Sequence, residues 1–289
     1  MSISEDKSQE LPNQWACSLD FEKKITCMTL NASGNILAVG LASNEIVVCD
    51  SETSSNRYFY HEHKSQPKTL SFSNHGHFLA CGDKSNQVIV RHLQTREIIY
   101  QNETKNSIIE ILFSPIETET LLILDTKSLT LVNVLTKEWK FYEGDFVSTC
   151  WHPTANKIFA ASTREIFTLD TDFNILNQYA PEGRKIFTKI EISHKGLQLL
   201  IIEKNGGCLL YQIEAMAVIR TFQDSVGEVK WSSAVFDPND EFVVFAPNVM
   251  ALRTLTIFSI NPENFGILVS DLQGPNEPVG QIIYHPYRP

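Results

Sequence analysis

The sequence predicts an all-β fold: a β-propeller with six full blades and an incomplete seventh. Three observations carry this. One hairpin motif, an apolar strand, a short polar turn and a second apolar strand, recurs along the 289 residues. Its copies stand 38 to 48 residues apart, close to the ~40–45 residues of a four-stranded blade. The apolar runs are short and β-branched, and they lack the i, i+3, i+4 pattern that a helix of useful length would show.

The copies follow in order. They read TLNASGNILAVG from Thr29, SFSNHGHFLACG from Ser71, LFSPIETETLLIL from Leu112 and CWHPTANKIFAAS from Cys150. EISHKGLQLLII from Glu191 and VFDPNDEFVVFAP from Val235 come next, and a last copy, IYHPYRP, starts at Ile283. The residue before each turn is an apolar or aromatic anchor: Leu30, Phe72, Phe113, Trp151, Ile192, Phe236 and Tyr284. The turns use two chemistries at equivalent places. Pro115, Pro153, Pro238 and Pro286 stand two residues after the anchor, where the ring presets φ for the second turn position. Gly34, Gly76 and Gly196 serve the copies without that proline and supply φ > 0 instead.

Four strands follow from each copy. In the first blade Ile25–Leu30 is innermost, then come Ile36–Leu41 and Glu45–Asp50, with Arg57–His61 outermost. Gln87–His92 and Thr254–Ser259 are strands of the same kind. Ile108–Phe113 is apolar almost throughout, as an innermost strand buried on both faces must be. Blades are expected to begin near residues 25, 68, 107, 146, 187 and 229, within one propeller spanning 15–289. Residues 1–14 are polar and acidic and are expected to form a disordered tail.

The period is that of a WD40-type propeller, but the motif is degenerate. Such a blade usually closes its third strand on Trp-Asp. The equivalents here are Cys49-Asp50, Arg91-His92, Leu169-Asp170, Tyr211-Gln212 and Phe258-Ser259. Two keep the Asp and none keeps the Trp. The usual Gly-His survives at most as Glu62-His63. The side-chain network that pins many propellers is therefore expected to be largely absent, which leaves strand pairing and packing between blades to hold the ring.

Composition narrows the function classes. The formal charge is −10, so strong nucleic-acid binding driven by net charge is not expected. The start is too polar for a secretory signal, and no apolar run approaches the ~20 residues of a membrane helix. Cys17, Cys27, Cys49, Cys81, Cys150 and Cys208 are widely spaced, without a C-x-x-C, and point to a reducing compartment rather than zinc or a disulfide scaffold. His61, His63, His75 and His77 are the one suggestion of a metal, but a loop or edge-strand role is preferred. Trp139 and Trp151 are considered as peptide-binding aromatics, with Trp151 assigned to core packing, and Arg220 to a plain surface role. No Gly-rich phosphate loop, G-x-S-x-G or H-E-x-x-H occurs. No catalytic, cofactor or metal residues are assigned, no cofactor is expected, and the chain is read as a non-enzyme that works by contact through loops on a stiff frame.

Several stretches carry a family resemblance. Ile25–Asp50 and Leu70–Ile99 resemble the first two repeats of the retinoblastoma-binding protein five family, the propeller subunit of COMPASS and mixed-lineage-leukaemia-type histone methyltransferase complexes. Phe187–Ile201 is similar to its fifth repeat, and Phe236–Pro289 to its sixth and the start of its seventh. The hairpin around Asn248–Leu252 and the terminal His-Pro-x-Arg-Pro are the most specific points. The resemblance implies a nuclear, non-catalytic scaffold that helps assemble and stimulate a SET-domain enzyme methylating histone H3 at lysine 4. It implies as partners that enzyme, a SPRY-domain subunit, a second WD propeller and the nucleosome with its histones. In the family, the segments that contact the SPRY subunit, stimulate the enzyme and dock on the other propeller lie C-terminal to the seventh blade. Those activities are carried over to no residue here. A generic WD adaptor in another assembly is the alternative, and a propeller enzyme a third.

The stretch GQIIYHPYRP reads as the innermost strand of a partial seventh blade from residue 279, with Trp15–Phe21 as its outermost strand. Its second and third strands are missing. The expectation is a defective seventh position, an open seam, and the loosest region of the fold at the two termini.

Overall fold

The motif copies fold as antiparallel hairpins, and each hairpin is extended by two further strands. The structure is a computed structural model that describes residues 19–181, 185–215, 217–222, 230–247, 254–261, 265–273 and 281–287. Blade one is β1 (Ile25–Leu30), β2 (Ile36–Leu41), β3 (Ile46–Asp50) and β4 (Tyr58–Tyr60). Blade two is β5 (Pro67–Phe72), β6 (Phe78–Asp83), β7 (Gln87–His92) and β8 (Ile98–Glu103). Blade three is β9 (Ile108–Phe113), β10 (Thr120–Asp125), β11 (Ser128–Asn133) and β12 (Trp139–Glu143). Blade four is β13 (Phe146–Trp151), β14 (Lys157–Ser162), β15 (Ile166–Asp170) and β16 (Ile175–Tyr179). Blade five is β17 (Phe187–Ile192), β18 (Gln198–Glu203), β19 (Cys208–Gln212) and β20 (Ala217–Phe222). Blade six is β21 (Trp231–Phe236), β22 (Phe242–Pro247), β23 (Thr254–Ser259) and β24 (Leu268–Gln273). Each blade is one four-stranded sheet with its strands in sequence order.

Short polar side chains make the turns local. The residue after the anchor bends back to accept backbone N–H groups of its own turn. Asn31 Oδ1 accepts from Ile36, Ser73 Oγ from Phe78, Ser193 Oγ from Leu197 and Gln198, and Asp237 Oδ1 from Glu241 and Phe242. Gly34, Gly76 and Gly196 take φ of 73°, 68° and 72°, the left-handed conformation that the spacing predicts.

The core lies between blades rather than within one. Phe78, Val88 and Val90 of blade two pack on Ile111, Leu121 and Val132 of blade three. Equivalent clusters join blades one and two, three and four, four and five, and five and six. A second regularity was not visible in the sequence. Every innermost strand carries a β-bulge at the same place, four residues before its anchor, at Thr26, Lys68, Ile109, Val147, Thr188 and Ser232. A bulge re-aims the strand, here where it turns into the ring.

The side-chain network is less depleted than the sequence reading expected. In blade two, His63 Nδ1–H donates to Asp83 Oδ2 at 3.0 Å, and both residues are buried. Asp83 Oδ1 also accepts the N–H groups of Ser85 and Gln87. Asp125 holds the corresponding turn of blade three through Lys127 and Ser128. The WD motif places its Asp at the end of the third strand, and these two end the second. Arg91, at a position where the motif has Trp, is buried, stacks over Tyr60 of blade one at 4.3 Å and pairs with Glu62 at 2.7 Å. A guanidinium stem with an apolar partner and a carboxylate fills the space of an indole.

The seam between blades six and one is occupied. Residues 281–285 form no ladder, which corrects their reading as a strand: among the described residues the neighbouring strands of such a blade are absent, so side chains hold the segment instead. It obeys a period of two, as an extended chain must. Gln281, Ile283 and His285 face blade one, where Ile283 packs near Leu37, Val39 and Leu41. Ile282 and Tyr284 face blade six and pack near Val235, Val244 and Ile257. Leu19 and Phe21 lie against the blade-one side of this seam outside any strand, and Arg57 stacks on Phe21 at 5.1 Å. The rest of the expected outer strand, 15–18, and the expected tail, 1–14, lie outside the described residues.

Candidate partner-binding surfaces

An innermost strand pairs on one edge only, so its other edge carries unpaired N–H groups that need partners. Side chains of the preceding blade supply them, at one repeated position. At three blade boundaries and at the seam, a polar side chain three residues before its own anchor accepts the N–H two residues before the next anchor. Thr69 Oγ1 accepts from Ile111 at 3.2 Å, Glu110 Oε2 from Thr149 at 2.8 Å and Ser148 Oγ from Ile190 at 3.2 Å. Gln281 Oε1 accepts from Met28 at 3.0 Å, and its Nε2 returns a bond to Met28 O at 3.1 Å. The terminal segment thus makes to blade one the contact that a seventh blade would make. His285 repeats the lesson. Its Nε2 lies 3.2 Å from Gly34 O, and it packs on that glycine as His152 packs on Gly196 one blade ahead.

The same strands carry an asymmetric set of charges. Lys68 Nζ donates to Ile108 O of the next blade. Lys189 and Glu191 of blade five form a loose pair at 3.9 Å. Burial pushes the Glu110 carboxyl up to about 7, against the opposing pull of the Thr149 N–H, Lys189 and the Ser148 hydroxyl. Burial also raises Glu191, with Lys189 opposing. A shifted carboxyl at a cleft is often a catalyst, but this one is bonded to Thr149 and Ser148 and joins two blades.

The residues singled out in the sequence are dispersed. His61 is exposed and pairs with Glu45 at 3.2 Å, while His63 is buried on Asp83. His75 and His77 lie in the blade-two turn, with His77 stacked on His92. Among the described residues no three His, Cys, Asp or Glu groups converge as a metal site. Trp151 is buried and donates its indole N–H to Leu112 O across a blade boundary. Trp139 is 65% exposed on the rim of blade three. Arg220 departs from a plain surface role: its guanidinium reaches Gly266 O of blade six at 3.2 Å and lies over Phe265. Five cysteines are free and buried; Cys17 and the hairpin around Asn248–Leu252 lie outside the described residues. Of the terminal His-Pro-x-Arg-Pro, residues 285–287 are described.

No family model matches the chain. Retinoblastoma-binding-like protein E of Dictyostelium discoideum is 26% identical over 313 aligned positions, which cover 92% of this chain and 57% of that protein. Retinoblastoma-binding protein 5 homolog of Drosophila melanogaster is 21% identical over 311 positions, covering 100% and 62%. The chain therefore spans about three fifths of the length of these curated relatives. Among solved structures, the Cps50 (Swd1) β-propeller domain of Myceliophteria thermophila superposes with a TM-score of 0.82 at 20% identity, over 91% of both chains. That likeness establishes the propeller fold. The chain is a WD-repeat propeller whose homologues are retinoblastoma-binding proteins.

Proposed function

We propose that this chain is a non-catalytic scaffold subunit of a nuclear complex of the COMPASS and mixed-lineage-leukaemia type, which methylates histone H3 at lysine 4. What carries the reading is the relationship along 92% and 100% of the chain to two retinoblastoma-binding proteins. The quoted repeat stretches point the same way. The geometry supports a frame: Thr69, Glu110 and Ser148 of innermost strands and the Gln281 amide of the terminal segment are spent on bonds between neighbouring blades. Its partners on this reading are the SET-domain methyltransferase, a SPRY-domain subunit, a second WD propeller and the nucleosome.

Affinity purification of the tagged, full-length protein from its own cells tests this. Recovery of a SET-domain methyltransferase together with a second WD propeller is the expected result. Recovery of a different stable assembly, under conditions in which a tagged SET subunit retains its own partners, would assign the chain to another complex and overturn the proposal.

A further inference from the structure

Outermost strands leave one edge unpaired, and this protein blunts those edges in a consistent way. β8, β16, β20 and β24 each carry a one-residue bulge, at Ile99, Leu176, Ile219 and Val269. β4 has only three residues. β12 is the exception among the described residues: it pairs with β11 in unbroken register from Ser128–Glu143 to Val132–Trp139.

The direction of its free groups follows from two bonds. Gly144 N–H donates to Lys127 O and Asn133 N–H to Glu138 O, both at 2.9 Å. Bonded positions alternate along an antiparallel pair, so Glu138, Lys140, Tyr142 and Gly144 are spent on β11. The N–H and C=O groups of Trp139, Phe141 and Glu143 therefore point to the free edge. The side chains of these three residues all line a cavity of about 780 Å³ between blades two and three. Trp139 is 65% and Phe141 52% exposed, with ring centroids 5.7 Å apart. Across the cavity, Tyr100 stands at mid-height of β8 and Glu103 at its end. The groove is thus aromatic at the Trp139 end and richer in carboxylates than in amines at the other, where Glu103, Glu143 and Asp145 line it with Lys105 and Lys127, and Asp145 holds Lys127 at 2.7 Å. On the opposite face of β12, Lys140 pairs with Asp172 and Tyr142 packs on Phe173, so that face is engaged with blade four.

We infer that β12 is a docking edge for an extended segment of a partner protein, which adds to blade three as a fifth strand. One face of that segment carries large apolar side chains against Trp139 and Phe141 and a Lys or Arg against Glu143 and Glu103. Trp139 and Glu143 are four residues apart, ~13 Å along a strand, so the apolar and basic side chains of the segment stand four positions apart with an apolar residue between them. Backbone bonds to the edge provide the attachment, and the alternate side chains set the choice of segment. The inference stands independently of which complex the protein serves.

The probes are short fluorescent peptides with Arg, Leu and Phe at alternate positions joined by Thr, in both chain directions, and the same peptides with Glu for Arg. Anisotropy with the full-length protein is expected to show one direction bound, with the Arg peptide at least about tenfold tighter than the Glu peptide. Trp139→Ser should weaken it about tenfold or more, and Glu143→Lys should invert the Arg-over-Glu preference. Both side chains are exposed, and an unchanged unfolding midpoint confirms that the variants are folded. N-methylation distinguishes strand addition from adhesion to aromatics: methyl groups at alternate peptide nitrogens should abolish binding, and those at the intervening nitrogens should not. Equal binding of Arg and Glu peptides, no loss in Trp139→Ser, or N-methyl effects without alternation would overturn the proposal. So would concentration-dependent dimerisation of the wild type that Trp139→Ser removes, since the occupant would then be a second copy of this chain.

Discussion

Glu110→Gln isolates the cost of holding a carboxylate between two blades. Glu110 accepts the Thr149 N–H at 2.8 Å and the Ser148 hydroxyl at 3.1 Å. Burial pushes its carboxyl up to about 7, from an unfolded value of about 4.3. The folded protein therefore keeps this proton in a window where the unfolded chain has released it. That contribution is complete below about pH 4.3 and is lost as pH rises through about 7. At ~1.36 kcal/mol per pH unit the shift corresponds to ~3.7 kcal/mol, and because Glu110 is half-buried rather than sealed from water the expected effect is about 1–2 kcal/mol. Gln keeps an acceptor for Thr149 and offers N–H donors to Ser148, whose oxygen has a second lone pair. The variant should match the wild type near pH 4 and exceed it by about 1–2 kcal/mol near pH 8. Urea unfolding of both proteins across this range measures the difference. A gap that does not change with pH would refute the reasoning, because the carboxyl would then titrate alike in the folded and unfolded states.

Further expectations follow from the seam, the turns and the buried network. Gln281→Ala removes both bonds to Met28 and should speed amide exchange at Met28 by about tenfold, while Leu122 and Ile201 in the central blades stay unchanged; equal protection would show that the segment does not cover that edge. Gly34 and Gly76 have nearly the same φ, but a Cβ at 34 would stand 2.4 Å from His285 Nε2, whereas at 76 the nearest atom is 3.8 Å away. Gly76→Ala should cost about 1 kcal/mol and Gly34→Ala about 1 kcal/mol more, read by urea unfolding. Asp83→Ala strands His63 Nδ1 and two backbone N–H groups, for a loss of about 3 kcal/mol in the same assay. Burial raises the thiols of Cys27, up to about 11, and of Cys81, Cys150 and Cys208, so these should react with a disulfide reagent only as fast as the protein unfolds.

What the sequence determined by itself was local. Blade number, strand order and turn chemistry were legible because their causes lie within a few residues. Ser73 caps a turn that closes at Phe78, and Gly76 supplies the φ that this turn requires. The tertiary structure decided everything that joins residues far apart in the chain. Gln281 and Met28 are 253 residues apart, and no periodicity announces that a terminal amide will satisfy the first blade. His63 stands out in the sequence as the remnant of Gly-His, but its partner does not: the motif places Asp on the third strand, while the buried histidine reaches Asp83 at the end of the second. The identity of Trp139 was plain in the sequence, yet its meaning depended on a register without a bulge and on a neighbouring blade that leaves room beside it. Register and the space between blades are set by how sheets twist and pack around a ring. The order of residues fixes each blade, and the meeting of the blades fixes which of their edges are open to a partner.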